Sequence, residues 1–224
     1  MADKGLISKL SNRVKEGIQL LKSNPIPFLS VALAYSAIEM AIMRHLMPML
    51  ATHSLKMELS VTFMLAALEI AAYECARIIF LTGLLSMILL LIEGEAVKLS
   101  DFTKLVTKRR LYRIMMIEAV IAPIAIAGGL LLILPGVVWC VLTVFSYFLV
   151  LKKEDIGILD SVSKSIAMTS GVRTELFTVC MIYGIFSFIP LLFPFSLALI
   201  VDTLFVPVLY IVIALMFKEK SSAL

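Results

Sequence analysis

Long apolar runs alternate along the chain with short segments in which apolar and basic residues recur at helical spacing. Six apolar runs stand out, at residues 27–50, within 61–92, and at 114–134, 137–151, 176–189 and 196–217. A helix of about 20 apolar residues crosses the hydrocarbon core of a bilayer. The pattern therefore predicts an all-α, polytopic membrane helical bundle with about six transmembrane helices. The run within 61–92 is long for one crossing, which favours tilt or projection beyond the bilayer, and 137–151 is short.

Three segments have an apolar face opposite a basic face. They lie within the leader 1–25, at 95–110 and at 154–171. Such helices lie in the membrane interface rather than crossing it. The chain thus divides into a cytoplasmic amphipathic leader (1–25), a six-span membrane domain (26–217) and a cytoplasmic tail (218–224). An amphipathic helix followed by an apolar hairpin occurs three times, either as a true threefold repeat or because this arrangement is economical.

Composition and charge place the protein in a membrane and give its orientation. Hydrophobic residues make up 61% of the 224 residues and charged residues 16%, whereas soluble domains are about a quarter charged. Of the 20 Lys and Arg residues, 17 flank the spans on the side of the two termini. The positive-inside rule therefore predicts cytoplasmic termini. Since the basic residues flank spans, the net charge of +4 indicates anionic lipid rather than nucleic acid.

Ionisable residues inside apolar spans are costly, so they are candidates for function. The candidate intramembrane polar cluster, towards the outer leaflet, consists of Glu39, Arg44, Glu69, Glu74, Arg77 and Asp202. Glu74 and Arg77 are three residues apart and are expected to pair. The cluster is interpreted either as an ion, proton or head-group site, or as a paired network joining spans 1, 2 and 6. Glu118 is expected to reach Arg113.

The densest basic group is predicted to contact anionic lipid of the cytoplasmic leaflet. Its members are Lys104, Lys108, Arg109, Arg110 and Arg113. No catalytic motif, cofactor site or metal site is expected, because His45 and His53 lack a third ligand at suitable spacing. Cys75, Cys140 and Cys180 are isolated and are expected to be small buried residues. Gly128 and Gly129 are expected to permit close helix packing.

Residues 132–138 (LILPGVV), 148–151 (FLVL) and 157–165 (GILDSVSKS), followed by Thr169, resemble the YciC-like family of bacterial inner-membrane proteins. That family is similar to the membrane domain of some glycerophosphodiester phosphodiesterases. The matching positions are Pro135, Gly136, Ser165 and Thr169. The resemblance implies a six-span protein of the bacterial inner membrane without an assigned activity. It does not imply phosphodiesterase activity, because that catalytic domain is not in the chain. Residues 44–77 do not match the family pattern.

Two functions follow from these patterns. The first is a non-enzymatic inner-membrane protein that organises lipid or partner membrane proteins of the envelope. The alternative is a small transporter or channel that uses acidic residues in the outer half of the bundle, namely Glu39, Glu74 and Asp202.

Overall fold

The computed structural model describes residues 2–38, 59–131, 133–153, 155–187 and 195–222. In these residues we find only helices and the turns between them, which confirms the predicted all-α class. The helices are α1 (Ala2–Ser23), α2 (Pro25–Ile38), α3 (Leu59–Glu93), α4 (Leu99–Leu105), α5 (Lys108–Leu131), α6 (Ile133–Lys152), α7 (Ile158–Met168), α8 (Arg173–Ser187) and α9 (Phe195–Ser221).

Four of these helices are long and apolar enough to cross a bilayer. The stretches are Ile70–Glu93 of α3, Lys108–Leu131 of α5, Leu134–Lys152 of α6 and Leu199–Ser221 of α9. They correspond to the second, third, fourth and sixth predicted spans. The first predicted span begins with the shorter apolar helix α2 and continues into residues outside the described ranges, and the fifth begins with α8 and does the same.

The long second run forms one uninterrupted helix. Helix α3 has 35 residues. At 1.5 Å per residue it is about 52 Å long, whereas the hydrocarbon core of a bilayer is about 30 Å thick. One end of α3 therefore extends beyond the core unless the helix tilts strongly.

The α5–α6 hairpin turns earlier than the sequence predicts. Pro135 and Gly136 are expected to form the reversal, but both lie in the first turn of α6, which begins at Ile133. Proline is tolerated there because the N–H groups of a first turn have no helical partner. As a result α6 has 20 residues rather than the short span predicted at 137–151, and it is long enough for a full crossing.

Glycine brings the backbones of α5 and α6 into direct contact. A Cβ added at Gly128 would lie 2.9 Å from the backbone N of Gly136, and a Cβ added at Gly136 would lie 2.8 Å from the carbonyl oxygen of Ala125. A Cβ at Gly129 would meet no described atom within 4 Å. The predicted close packing is therefore confirmed at Gly128, while the Cβ position of Gly129 points into open space.

Helix α4 packs on α3 through an aromatic ring. The ring of Phe102 lies 5.6 Å from that of Phe80, measured between centroids. A Cβ at Gly83 would lie 2.2 Å from the Phe102 ring, so the glycine makes room for it. The amphipathic segment predicted at 95–110 is thus held on the bundle by its apolar face.

That segment is nevertheless two elements rather than one. Helix α4 ends at Leu105 and α5 begins at Lys108. Between them, the hydroxyl of Thr107 accepts a hydrogen bond from the backbone N of Arg110 at 3.4 Å. A threonine in this position caps the amino end of the next helix. Lys108 and Arg110 therefore belong to the first turn of the third predicted span.

Candidate functional site

Arg77 on α3 lies between two carboxylates. Its Nε donates to Oε2 of Glu74 at 2.8 Å, and its Nη1 donates to Oε1 of Glu118 on α5 at 3.0 Å. The side chain of Glu118 is 13% exposed and that of Glu74 is 45% exposed. The predicted pair of Glu74 and Arg77 is confirmed, and the more enclosed partner comes from a second helix.

A cavity of about 180 Å³ lies beside this ion pair. Tyr147 of α6 and Tyr210 of α9 line it together with Arg77 and Glu118. Because each charged group has a partner, the cost of placing charge in an apolar layer is reduced. The contacts therefore favour a paired network, and among the described residues its ion pairs join α3 and α5, whereas the predicted network joins spans 1, 2 and 6.

Of the predicted cluster, the structure brings together Glu74 and Arg77, and it adds Glu118 to them. Glu39 and Arg44 lie outside the described residues. The backbones of Glu69 and Asp202 lie on α3 and α9, whereas the structure does not describe their side chains. Glu118 is not part of the predicted cluster and is expected from the sequence to reach Arg113. That expectation is wrong, because Glu118 pairs with Arg77.

The cysteines also differ from expectation. Cys140 and Cys180 line the cavity, but Cys75 and Cys140 are exposed on the bundle and Cys180 is half-buried. The prediction of burial is wrong for Cys75 and Cys140. A small apolar residue is as compatible with hydrocarbon as with a protein core, since lipid tails are as apolar as leucine.

A second feature is the end of the bundle where basic residues gather. Lys152, at the end of α6, has its Nζ 3.0 Å from Oε1 of Glu93, at the end of α3. Near the end of α9, Lys218 donates from its Nζ to the carbonyl oxygen of Ile92. Arg109, at the start of α5, has Nη2 3.7 Å from Oδ1 of Asp155, in the turn after α6.

Helices α1 and α8 join the same end through one arginine. Arg13 on α1 forms ion pairs with Glu175, in the first turn of α8, and with Glu219, near the end of α9. Helix α1 continues along α9, where a Cβ at Gly17 would lie 3.4 Å from the side chain of Val212. Helices α1, α4 and α7 lie at the same end of the bundle as these helix termini. We use the name basic end for this end of the bundle.

Four of the five candidate lipid contacts are available at the basic end. Lys104 has 72% of its side chain exposed and Arg109 has 60%. Lys108 is exposed, and Arg110 is half-buried with its Nη1 donating to the carbonyl oxygen of Leu105 at 3.4 Å. These side chains form one basic surface around the α4–α5 junction.

Arg113, the fifth candidate, has another role. The residue is only 9% exposed, and its Nη2 donates to the carbonyl oxygens of Lys153 at 3.2 Å and Ile156 at 2.7 Å. Its charge therefore stabilises the connection between α6 and α7, where helix-end carbonyls lack helical partners. We exclude Arg113 from the lipid-contact set for this reason.

The residues that carry the family resemblance lie at two helix contacts. Pro135 and Gly136 form the close α5–α6 contact described above. Ser165 on α7 is fully buried, and its hydroxyl donates to the carbonyl oxygen of Leu142 at 2.8 Å and accepts from the backbone N of Phe145 at 3.1 Å. Thr169 is also buried and donates to the carbonyl oxygen within its own turn, that of Ile166. Gly136 and Ser165 thus make contacts between helices, whereas the hydrogen bond of Thr169 lies within its own turn.

The ion pairs of Arg13 are the contacts that the sequence interpretation missed. Glu175 is favoured in the first turn of α8 by the helix dipole, which is a local signal. The choice of Arg13 as partner has no local signal, because the two residues are 162 positions apart. Only the packing of α1 beside α8 and α9 brings them together.

Among the described residues outside the membrane spans, Asp101 is the one whose pKa is clearly perturbed. The backbone N–H of Lys98 donates to Oδ2 of Asp101 at 2.9 Å, and this hydrogen bond, with the ammonium of Lys104, lowers the pKa of Asp101. A carboxylate that accepts a backbone N–H in the first turn stabilises the start of α4.

The described residues contain no group of three or more His, Cys, Asp or Glu side chains that could hold a metal ion. His45 and His53 lie outside them. Comparisons with protein-family models, with curated proteins and with solved structures find no match to this chain.

Proposed function

We propose that this chain is a non-enzymatic, multi-pass protein of the bacterial inner membrane that associates with anionic lipids of the cytoplasmic leaflet. Through this association it organises lipid or partner membrane proteins. The proposal includes six spans, the YciC-like family and three interfacial helices. Support comes from the four long apolar helices and from the basic residues at one end of the bundle.

The direction of the helices supports cytoplasmic termini. The ion pairs and hydrogen bonds at the basic end join the ends of α3, α6 and α9 to the starts of α5 and α8. Each of these helices therefore has one terminus at the basic end, where lysines and arginines of α5, α6 and α9 gather. Such an asymmetry of Lys and Arg is the feature that orients membrane proteins with this side in the cytoplasm.

The observation that carries the proposal is the surface of helices α1, α4 and α7. Each exposes a large apolar side chain: Ile7 on α1 is 65% exposed, Leu99 on α4 is 49% exposed and Leu159 on α7 is 71% exposed. Lysines accompany them, with Lys9 and Lys98 among those exposed. Apolar side chains that enter the acyl boundary, next to cations that meet anionic head groups, are typical of interfacial helices.

Charge reversal at the α4–α5 junction tests the proposal. The triple variant Lys108→Glu, Arg109→Glu, Arg110→Glu is compared with a charge-conserving variant, Lys108→Arg, Arg109→Lys, Arg110→Lys. Native mass spectrometry of the detergent-solubilised chain, titrated with phosphatidylglycerol and phosphatidylcholine, measures binding. At about 1 kcal/mol for each basic residue, charge reversal should weaken phosphatidylglycerol binding at least about tenfold.

The charge-conserving variant should bind phosphatidylglycerol as the unmodified chain does, because the proposal depends on charge and not on side-chain shape. Equal phosphatidylglycerol binding by the charge-reversed variant would refute the proposal. So would an unmodified chain that binds both lipids equally.

The alternative is a small transporter or channel that uses Glu39, Glu74 and Asp202. The cavity of about 180 Å³ beside Arg77 and Glu118 favours it, because polar groups and open space lie together there. If this function is correct, the reconstituted chain should move protons or a small solute across vesicles, and neutralising the three acids should abolish the flux. Absence of flux in the unmodified chain would remove this alternative.

A further inference from the structure

A cavity lined by several lysines lies at the basic end, outside the Arg77 network. Its volume is about 560 Å³, and α6, α7 and α9 form its walls. Four lysines line it, namely Lys152, Lys153, Lys164 and Lys220. Ligand pockets are typically about 300–1,000 Å³, so the space is sufficient for a small ligand or a lipid head group.

The charge in this cavity is incompletely balanced by the residues that form it. Among the described residues that line it, none is acidic. Glu93 lies outside the lining and reaches Lys152, with Oε1 3.0 Å from Nζ. Ammonium groups that share one cavity repel each other, and a bound anion relieves this repulsion. The walls therefore favour an anionic ligand.

Local backbone geometry positions one of the lysines. Gly171 follows α7 with φ of +83°, a conformation that residues with a Cβ rarely adopt. A Cβ at this position would lie 3.3 Å from Nζ of Lys220, so the ammonium lies directly against the glycine. The turn after α7 thereby leaves room for the Lys220 ammonium on the cavity wall.

Buried apolar side chains form the base of the cavity. Leu149 and Phe217 are buried and line it. The ring of Phe217 stacks on Phe148 with centroids 5.3 Å apart and meets Phe145 edge-on at 5.7 Å. Lysines around an apolar base suit a ligand that combines an anionic group with hydrocarbon. Lysine binds phosphate as a point charge, and basic pockets between spans bind phospholipid head groups.

We propose that this cavity binds the phosphoryl group of an anionic phospholipid, with Lys164 and Lys220 as its principal cationic contacts. This inference rests on the proposed lipid association and narrows it to one site. A soluble phosphate ester has the same anionic group, but it lacks the hydrocarbon that the apolar base would contact. The position of the cavity at the termini of two candidate spans, α6 and α9, also favours lipid.

The test uses the full chain in detergent with the double variant Lys164→Gln, Lys220→Gln. The matched control is Lys15→Gln, Lys22→Gln, which removes the same charge from two exposed lysines of α1 outside the cavity. Binding of dioleoyl phosphatidic acid, glycerol 3-phosphate and inorganic phosphate is measured by native mass spectrometry. We expect one phosphatidic acid molecule per chain, bound about 10- to 30-fold more weakly by the cavity variant and within about threefold of normal by the control.

A second measurement does not depend on a variant. Bound phosphatidic acid should protect Lys164 and Lys220 from reductive methylation, while Lys15 remains reactive. If glycerol 3-phosphate or inorganic phosphate binds equally well and is lost in the same variant, the phosphoryl site stands and its ligand is soluble.

Two outcomes separate this inference from the proposed function. Unchanged phosphatidic acid binding by the cavity variant, with Lys164 and Lys220 still reactive, overturns the site. If the charge-reversed variant at residues 108–110 nevertheless loses lipid binding, the general lipid association survives. If neither variant affects binding, both proposals fail.

Discussion

Two neighbouring glycines of α5 should respond in opposite ways to alanine. A Cβ at Gly128 would lie 2.9 Å from N and 3.1 Å from Cα of Gly136, and 3.2 Å from the carbonyl carbon of Pro135. All three are backbone atoms, so no side chain can rotate away. Since carbon contacts are optimal at about 3.5–4.0 Å, α5 and α6 must separate by about 0.5–1 Å. Overpacking of this kind costs about 1–3 kcal/mol.

Gly129 provides the control, because a Cβ there would meet no described atom within 4 Å. Alanine gains up to about 1 kcal/mol of helix propensity over glycine at either position. This gain cancels in the comparison of Gly128→Ala with Gly129→Ala. The difference between the two variants is therefore the steric cost alone, and Gly128→Ala should be less stable by about 1–3 kcal/mol.

The single tryptophan makes this difference measurable at the hairpin itself. Trp139 on α6 donates from Nε1 to the carbonyl oxygen of Ile121 on α5 at 3.2 Å. Its fluorescence, followed while SDS is added to the chain in mixed micelles, reports separation of the two helices. Equal midpoints for the two variants would show that the backbones do not make this close contact.

Two further predictions concern the short helices. Ser165→Ala removes two hydrogen bonds to the backbone of α6 and should lower the free energy of unfolding by about 1–3 kcal/mol in the same SDS titration. Ser163→Ala, at an exposed position of α7, should change it by almost nothing. Equal effects of the two variants would contradict the anchoring of α7 to α6 through Ser165. The lowered pKa of Asp101 means that its stabilisation of α4 is present above about pH 3.9 and is lost as pH falls through the lower folded value. Backbone amide hydrogens of α4 should therefore exchange faster at acid pH, after correction for intrinsic rates, in the unmodified chain but not in Asp101→Asn. The same acid-dependent increase in both proteins would show that the Asp101 carboxylate does not cap α4.

Hydrophobic patterning predicted most of the helices because partition between water and hydrocarbon depends on the composition of a window of residues. The run within 61–92 lies in α3, and the run predicted at 114–134 forms α5 as far as Leu131, and neither prediction needed knowledge of the neighbouring helices. Boundaries were less predictable. The sequence assigns Pro135 to the α5–α6 reversal, but proline is also compatible with a first helical turn, and the structure places it there.

The sequence by itself determined the all-α class, the apolar stretches long enough to cross a bilayer and the local pair of Glu74 with Arg77, since each depends on residues close together in the chain. Only the tertiary structure decided that Glu118 joins Arg77 and that Arg113 binds the carbonyls after α6. It also gathered Lys152, Lys164 and Lys220 around one cavity. These contacts join helices far apart in sequence, and the partner of a charged side chain depends on which helices pack side by side.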